Sequence, residues 1–169
     1  MAKRRSLDTD SCPVARSLDA VGERWALLIV RDAFDGMRRF GEFQKSLGVA
    51  RNILADRLRG LVDANILETR PASDGTSYEE YVLTPKGRAL FPVIVGLRQW
   101  GEAHLYGPED AHSVMLAQAS GLPIQPLTVH DASGRALGPD DVRVKKGLAE
   151  VQRPENFSPF LHKRHGSSC

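Results

Sequence analysis

Residues 38–87, RRFGEFQKSLGVARNILADRLRGLVDANILETRPASDGTSYEEYVLTPKG, decide the fold. From Gly48 to Ala64 the apolar residues Val49, Leu54, Leu58 and Leu61 recur at helical spacing and leave Arg51, Asn52, Ala55, Asp56 and Arg59 on the opposite side. Before them Phe40, Phe43 and Leu47 mark a shorter helix, and Gly48 supplies a left-handed turn between the two. After them, Ile66 to Pro71 and Tyr78 to Leu83 are strand-forming runs separated by Ala72-Ser73-Asp74-Gly75-Thr76-Ser77, whose Asp-Gly pair suits a hairpin. Two helices joined by a glycine turn and followed by a hairpin make a winged helix-turn-helix. The predicted class is mainly α with a small β wing.

A helix about 10 Å across fits the major groove of DNA, and its first turns are the part that reaches base edges. That selects Arg51 and Asn52, then Ala55 and Arg59, as base-reading candidates. Arg makes a paired contact to guanine and Asn to adenine, whereas Ala55 offers only a methyl to a thymine or close backbone approach. The hairpin tip is small and polar, with Thr76 on it and Arg70 and Lys86 as charged candidates for the minor groove or phosphates. Arg38 and Arg39 precede the first helix of the motif, where the chain crosses the DNA backbone, and are assigned to phosphate. Lys3-Arg4-Arg5 form a basic arm that either enters a minor groove or is simply solvated.

Charge distribution agrees with this. The formal net charge is only +2, but Arg38 to Arg59 holds six basic residues against Glu42 and Asp56, a local excess of +4. The hydrophobic content of 41% suits a soluble core, and no apolar run approaches the roughly 20 residues of a membrane span. Met1-Ala-Lys-Arg-Arg is followed by polar residues rather than the apolar stretch of a signal peptide, so a cytoplasmic location is expected.

Two further helical stretches flank the motif. Val14 to Val21 and Trp25 to Phe34 read as an N-terminal helix pair with an apolar excess. From Thr84, a good N-cap, through Pro85 at the first helical position, a helix is predicted toward Leu105 with a kink near Pro92. Its residues Leu90, Phe91, Val93, Ile94, Val95, Leu97 and Trp100 surround it more fully than one small core requires. A second subunit is the expected cover, with Leu90, Ile94, Leu97 and Trp100 as dimerisation candidates; the alternative is a monomer with a thick core. A twofold dimer would set two recognition helices about 34 Å apart on a near-palindrome.

The stretch from Cys12 to Leu105 resembles the HxlR-type transcriptional regulators, relatives of the larger MarR group. The resemblance rests on CPVARSLDAVGERWALLIVRDAF, RRFGEFQKSL, LADRLRGLVDANIL and YVLTPKGRALFPVIVGLRQWG, in that order and spacing. It implies a small homodimeric DNA-binding repressor or activator acting on double-stranded DNA, with a small-molecule effector as a further partner. One departure is Ala50, where the family usually places Ser or a similar cap at the start of the recognition helix; a lost cap costs about 1 kcal/mol. Some relatives resemble redox or electrophile sensors with a cysteine in a Cys-Pro setting. Here Arg16 and the following helix N-terminus would favour a thiolate at Cys12. The other reading of Cys12 is a packing residue under the dimer helices.

After Leu105 the composition turns rich in Pro and Gly. Short runs at Val114 to Leu116, Leu127 to Val129 and Val142 to Val144 read as strands, and Ala119-Ser120-Gly121 and Ala132-Ser133-Gly134 as repeated turns. Some members of the family carry a zinc-ribbon-like extension here, with cysteines at the positions held in this chain by Ser120, His130 and Ser133. One His does not supply the four ligands of tetrahedral zinc, so the expectation is a ribbon shape without metal, bracing the dimer or offering a partner surface. His162, His165 and Cys169 cluster in the tail, but their spacing is no recognised metal motif. The expected organisation is a basic arm at 1–10, the winged domain at 11–107, a β-rich extension at 108–150 and a mobile tail at 151–169.

No Gly-rich phosphate loop, paired metal-ligand motif or informative Ser/His/Asp spacing is present, and no cofactor or metal is expected. Enzyme function is set aside. The competing class is a winged-helix protein-interaction module without DNA.

Overall fold

A computed structural model describes Leu7 and residues 9–145. The basic arm Lys3-Arg4-Arg5 and the tail with His162, His165 and Cys169 lie outside the described residues. The chain divides into two compact units, with the boundary between His112 and Ser113. The first unit holds α1 (Pro13–Val21), α2 (Arg24–Phe34), α3 (Phe40–Leu47), α4 (Arg51–Asp63), β1 (Leu67–Pro71), β2 (Glu79–Leu83), α5 (Pro85–Arg88) and α6 (Phe91–His104). Through β2 the predicted order of elements is the observed one, and the unit is mostly helical with a two-stranded antiparallel wing.

Helix α2 is the hub, packing on α1, α3, α4, α6 and β2. Ile29 and Val30 from α2, Phe43 from α3 and Leu54, Leu58 and Leu61 from α4 are almost wholly buried in one core. Burial of each such side chain is worth about 1.5–3 kcal/mol, which fixes the rotational phase of α4 and leaves its charged side outward. Gly48 ends α3 at φ +59, where its amide donates to the Gln44 carbonyl, and the chain turns directly into α4.

The far end of α4 closes by a device the sequence did not announce. Asn65 adopts φ +55, its amide donates to Val62 and that of Ile66 to Leu61, the paired bonds of a Schellman cap. Asn is among the few side-chain-bearing residues that tolerate this conformation. The strands follow at once, in a register that sets Leu67 opposite Leu83 and Pro71 opposite Glu79, with Gly75 at φ +77 in the tip.

Thr84 then starts α5. Its hydroxyl accepts from the Gly87 amide at 3.0 Å and donates to the Asn65 carbonyl at 2.7 Å, so one side chain joins the helix start to the end of α4. The helix predicted to run through to Leu105 is interrupted. α5 lasts one turn, and Pro92, which has no amide to return to Arg88, sits in the first turn of a new helix, α6. A break replaces the expected kink.

In the second unit the expected strands reduce to two isolated bridges, Leu116 with Pro123 and His130 with Ala136. Leu116, Leu122, Leu127 and Val129 are all exposed in it, so no packed face holds a ladder together. Val142 to Val144 is not a strand. The repeated turns are present, with Gly121 and Gly134 at φ +68 and +88. Among the described residues, no group of three or more His, Cys, Asp or Glu is placed to hold a metal ion, and no helix is long and apolar enough to cross a membrane.

Candidate nucleic-acid interface

The outward face of α4 carries Arg51, Asn52, Asp56 and Arg59, all exposed, with Ala55 half-buried among them. Arg51 is the first residue of α4, and its guanidinium lies 5.0 Å from the ring centre of Phe40, the first residue of α3. This cation–π contact spans the turn and holds the arginine at the exposed helix start. Arg59 is 3.3 Å from Asp56 one turn away, an exposed pair that contributes little to stability and leaves the guanidinium free to exchange partners. Ala50 precedes the helix without any side-chain cap, as its chemistry requires, so no side chain covers the first amides of α4. Another basic residue of the segment, Arg57, is half-buried and pairs with Glu23 at 3.5 Å.

Arg38 and Arg39 are engaged within the protein. Arg39 pairs with Asp74 at the wing tip, 35 residues along the chain. Both arginines also approach Glu80 on β2, Arg38 at 3.6 Å and Arg39 at 4.0 Å. Glu80 is 6% exposed, and its Oε1 accepts from the Ser73 hydroxyl at 3.1 Å and amide at 3.4 Å. The Tyr81 amide donates to the Arg38 carbonyl at 2.8 Å, tying β2 to the segment before α3. Within that segment the amides of Arg38 and Arg39 donate to Glu42 at 2.8 and 2.9 Å, and these two bonds hold its carboxyl below the usual range.

Thr76 faces inward to the tip rather than outward: its hydroxyl and amide donate to Asp74 at 2.7 and 3.1 Å. The hydroxyl, then Arg39, then the Thr76 amide hold the Asp74 carboxyl well below the ordinary carboxylate range. Arg70 is exposed on β1 and pairs with Glu68. Lys86 lies beside the end of α4 opposite to Arg51. Its ammonium donates to the Ala64 carbonyl at 2.7 Å, about 20 Å along the helix from Arg51 at 1.5 Å per residue. The sequence reading missed Glu80, Asp74 and Asn65; only the Asp-Gly turn marked Asp74, and as a turn former.

The dimerisation candidates part company. Ile94 is 8% exposed and belongs to the chain's own core, with Leu90 packed against it. Leu97 and Trp100 are exposed at 50% and 57%, on a helix that also exposes Phe91 and Val93. Val14 and Leu18 on α1 are exposed as well. Cys12 is the N-cap of α1 and is exposed. Arg16 does not turn to it; its Nε donates to the Asp10 carbonyl at 2.5 Å.

The fold of the first unit agrees with what known proteins share with this chain. The family model described as HxlR-like helix-turn-helix matches residues 20–109. The uncharacterised HTH-type transcriptional regulator Rv3095 of Mycobacterium tuberculosis is 49% identical over 96 residues, 57% of this chain and 61% of that protein. The chain therefore spans less than two thirds of that relative's length. Among solved structures, PA1607, a candidate transcription factor, is 50% identical with a TM-score of 0.81, covering 85% of this chain and all of its own. The redox regulator HypR in its oxidised form is 31% identical with a TM-score of 0.51, covering 55% of this chain and 97% of its own.

Proposed function

Since the chain belongs to the HxlR-like helix-turn-helix family, we propose that it is a DNA-binding transcriptional regulator that reads sequence with the first two turns of α4. The observation that carries this reading is the division of α4: Leu54, Leu58 and Leu61 are buried, while Arg51, Asn52 and Arg59 are exposed on the opposite side. In this reading Arg38 and Arg39 before α3 and Arg70 on the wing, none of them buried, supply the positive charge for phosphates. The relatives are named as transcriptional regulators, which gives an enzymatic reading no support.

The regulator acts as a homodimer in this reading, with the exposed apolar residues of α6 and α1 as its interface. A small-molecule effector would enter the cavity of about 250 Å³ lined by Ala20, Val21, Ile66 and Leu90 together with Arg16 and Lys86. Exposed Cys12 is open to oxidants, and Cys12→Ser would then keep DNA affinity while losing any response to diamide.

Retardation of genomic fragments across a salt series tests the proposal. Binding of a subset of fragments, weakening steeply with salt, is expected. A protein-interaction module on the same fold would retard no duplex in a salt-sensitive way, and that result would end the DNA reading.

A further inference from the structure

A carboxylate that is almost wholly buried beside a surface meant for phosphates stands against the electrostatics of that surface. Glu80 is such a group: 6% exposed, on β2, and facing both arginines assigned to the DNA backbone. Two segments, the wing tip and the stretch before α3, converge on it and on its neighbour. Ser73 from the wing tip donates twice to its Oε1, Arg38 approaches its Oε2 and Arg39 its Oε1, and the next residue, Tyr81, donates its amide to the Arg38 carbonyl. Arg39 continues to Asp74, which Thr76 holds from within the tip. The wing is only a two-stranded hairpin, marginal by itself in water, so its angle to α3 depends on contacts of this kind.

We propose that Glu80 is a positioning residue of the DNA-binding surface: it gathers Arg38, Arg39 and the wing tip onto one carboxylate, so that wing and helix-turn-helix meet DNA as one preset body. The side chains of Arg38 and Arg39 remain 55% and 38% exposed, so a phosphate can reach each guanidinium while Glu80 holds both and Asp74 holds Arg39. The inference deepens the DNA-binding reading and rests on it for its second half only.

Two roles for Glu80 predict opposite signs. If its charge merely repels DNA, Glu80→Gln raises affinity for every duplex, because one negative charge near the phosphates is gone. If it positions the arginines and the wing, Glu80→Gln keeps the shape and the bond from Ser73 but releases the arginines, and affinity for a duplex selected by the wild-type protein falls by on the order of tenfold. Affinity for arbitrary duplexes then stays level or rises.

The first half is read without DNA. Amide exchange of Tyr81, followed by NMR in the full chain, should be several-fold faster in Glu80→Gln than in wild type, with the core amides of α2 unchanged. Unchanged Tyr81 exchange overturns the proposal whatever the protein binds. So does faster exchange with selected-duplex affinity equal to or above wild type. Wild-type protein that binds no duplex refutes the DNA reading instead, and leaves the exchange result to decide whether Glu80 fixes the wing. Where Glu80→Gln proves too unstable to compare, Ser73→Ala keeps Glu80 and both arginines and cuts one tie to the tip; it should quicken exchange of the Gly75 amide and lower selected-duplex affinity, and no change in either overturns the proposal.

Discussion

The carbonyl oxygen of Ile66 occupies the space where a side chain on Gly87 would begin: a Cβ built there would lie 2.1 Å from it. No rotamer relieves such an overlap, because the obstructing atom is backbone held in place by the Schellman cap of α4 and by Thr84. Gly87→Ala must therefore push α5 away from the wing base. The expected loss is about 1–3 kcal/mol, read as a lower midpoint in urea. Thr84→Ala, which removes both the cap and the bond to the Asn65 carbonyl, should cost about 1–2 kcal/mol. A Gly87→Ala midpoint equal to wild type would contradict this packing.

On α4, Arg51→Ala and Asn52→Ala should reduce discrimination between the selected duplex and its base-substituted variants by about 1–3 kcal/mol each, with little change in salt slope. Arg70→Ala should weaken all duplexes alike and lower the salt slope by about one. Lys86→Ala should do neither, since that ammonium serves the Ala64 carbonyl. Competition assays with substituted duplexes separate these outcomes; specificity retained in both α4 variants would remove α4 from the reading role.

Assembly is tested on the exposed face of α6. Leu97→Asp places a charge where the chain alone leaves the position open, so the variant should fold and sediment as a monomer while wild type sediments as a dimer. Ile94→Asp should instead unfold the subunit, because Ile94 is core. Wild-type monomer at micromolar concentration would defeat the dimer reading.

The carboxylates of Asp74 at the wing tip and Glu42 on α3 should stay ionised to lower pH than free ones. Asp74 and Glu42 are both held below their ordinary values, so the folded state binds fewer protons than the unfolded one near pH 4. Their stabilising contribution is complete above the unfolded values of about 3.9 and 4.3, and is lost as pH falls through the lower folded values. Carbon NMR of the side-chain carboxyls should show Asp74 still ionised at a pH where an unfolded Asp is half protonated, and Thr76→Val should move its midpoint upward. An ordinary Asp74 titration in wild type would break the proposed tip geometry.

How far the sequence alone carried these conclusions depended on the range of the interactions. The phase of α4 was legible because four apolar residues at helical spacing leave one side to water. The left-handed turn at Gly48 was legible because it lies between two such patterns. Helix α6 was harder, since apolar residues nearly all round it give no phase to say that Ile94 turns inward and Leu97 outward. The break before Pro92 depends on Thr84 and Gly87 locking α5 to the wing base, which a local reading does not contain. Arg39 and Asp74 are far apart in sequence, and each has an ordinary local explanation that conceals their pairing. In the second unit, apolar runs suggested strands, but a run forms a strand only where another surface covers it.

The two ends of α4 are unequal in a way that bears on how such a protein changes over generations. The end at Asn65 is closed by backbone bonds, Thr84 and Lys86, whereas the end at Ala50 has no side-chain cap and presents residues that the core does not use. If α4 reads DNA as proposed, substitutions at Arg51 or Asn52 alter what the helix recognises while the buried Leu54, Leu58 and Leu61 keep it folded. On that reading, a lineage carrying this scaffold is free to explore new target sequences by single replacements, each filtered by its regulatory effect rather than by loss of the fold.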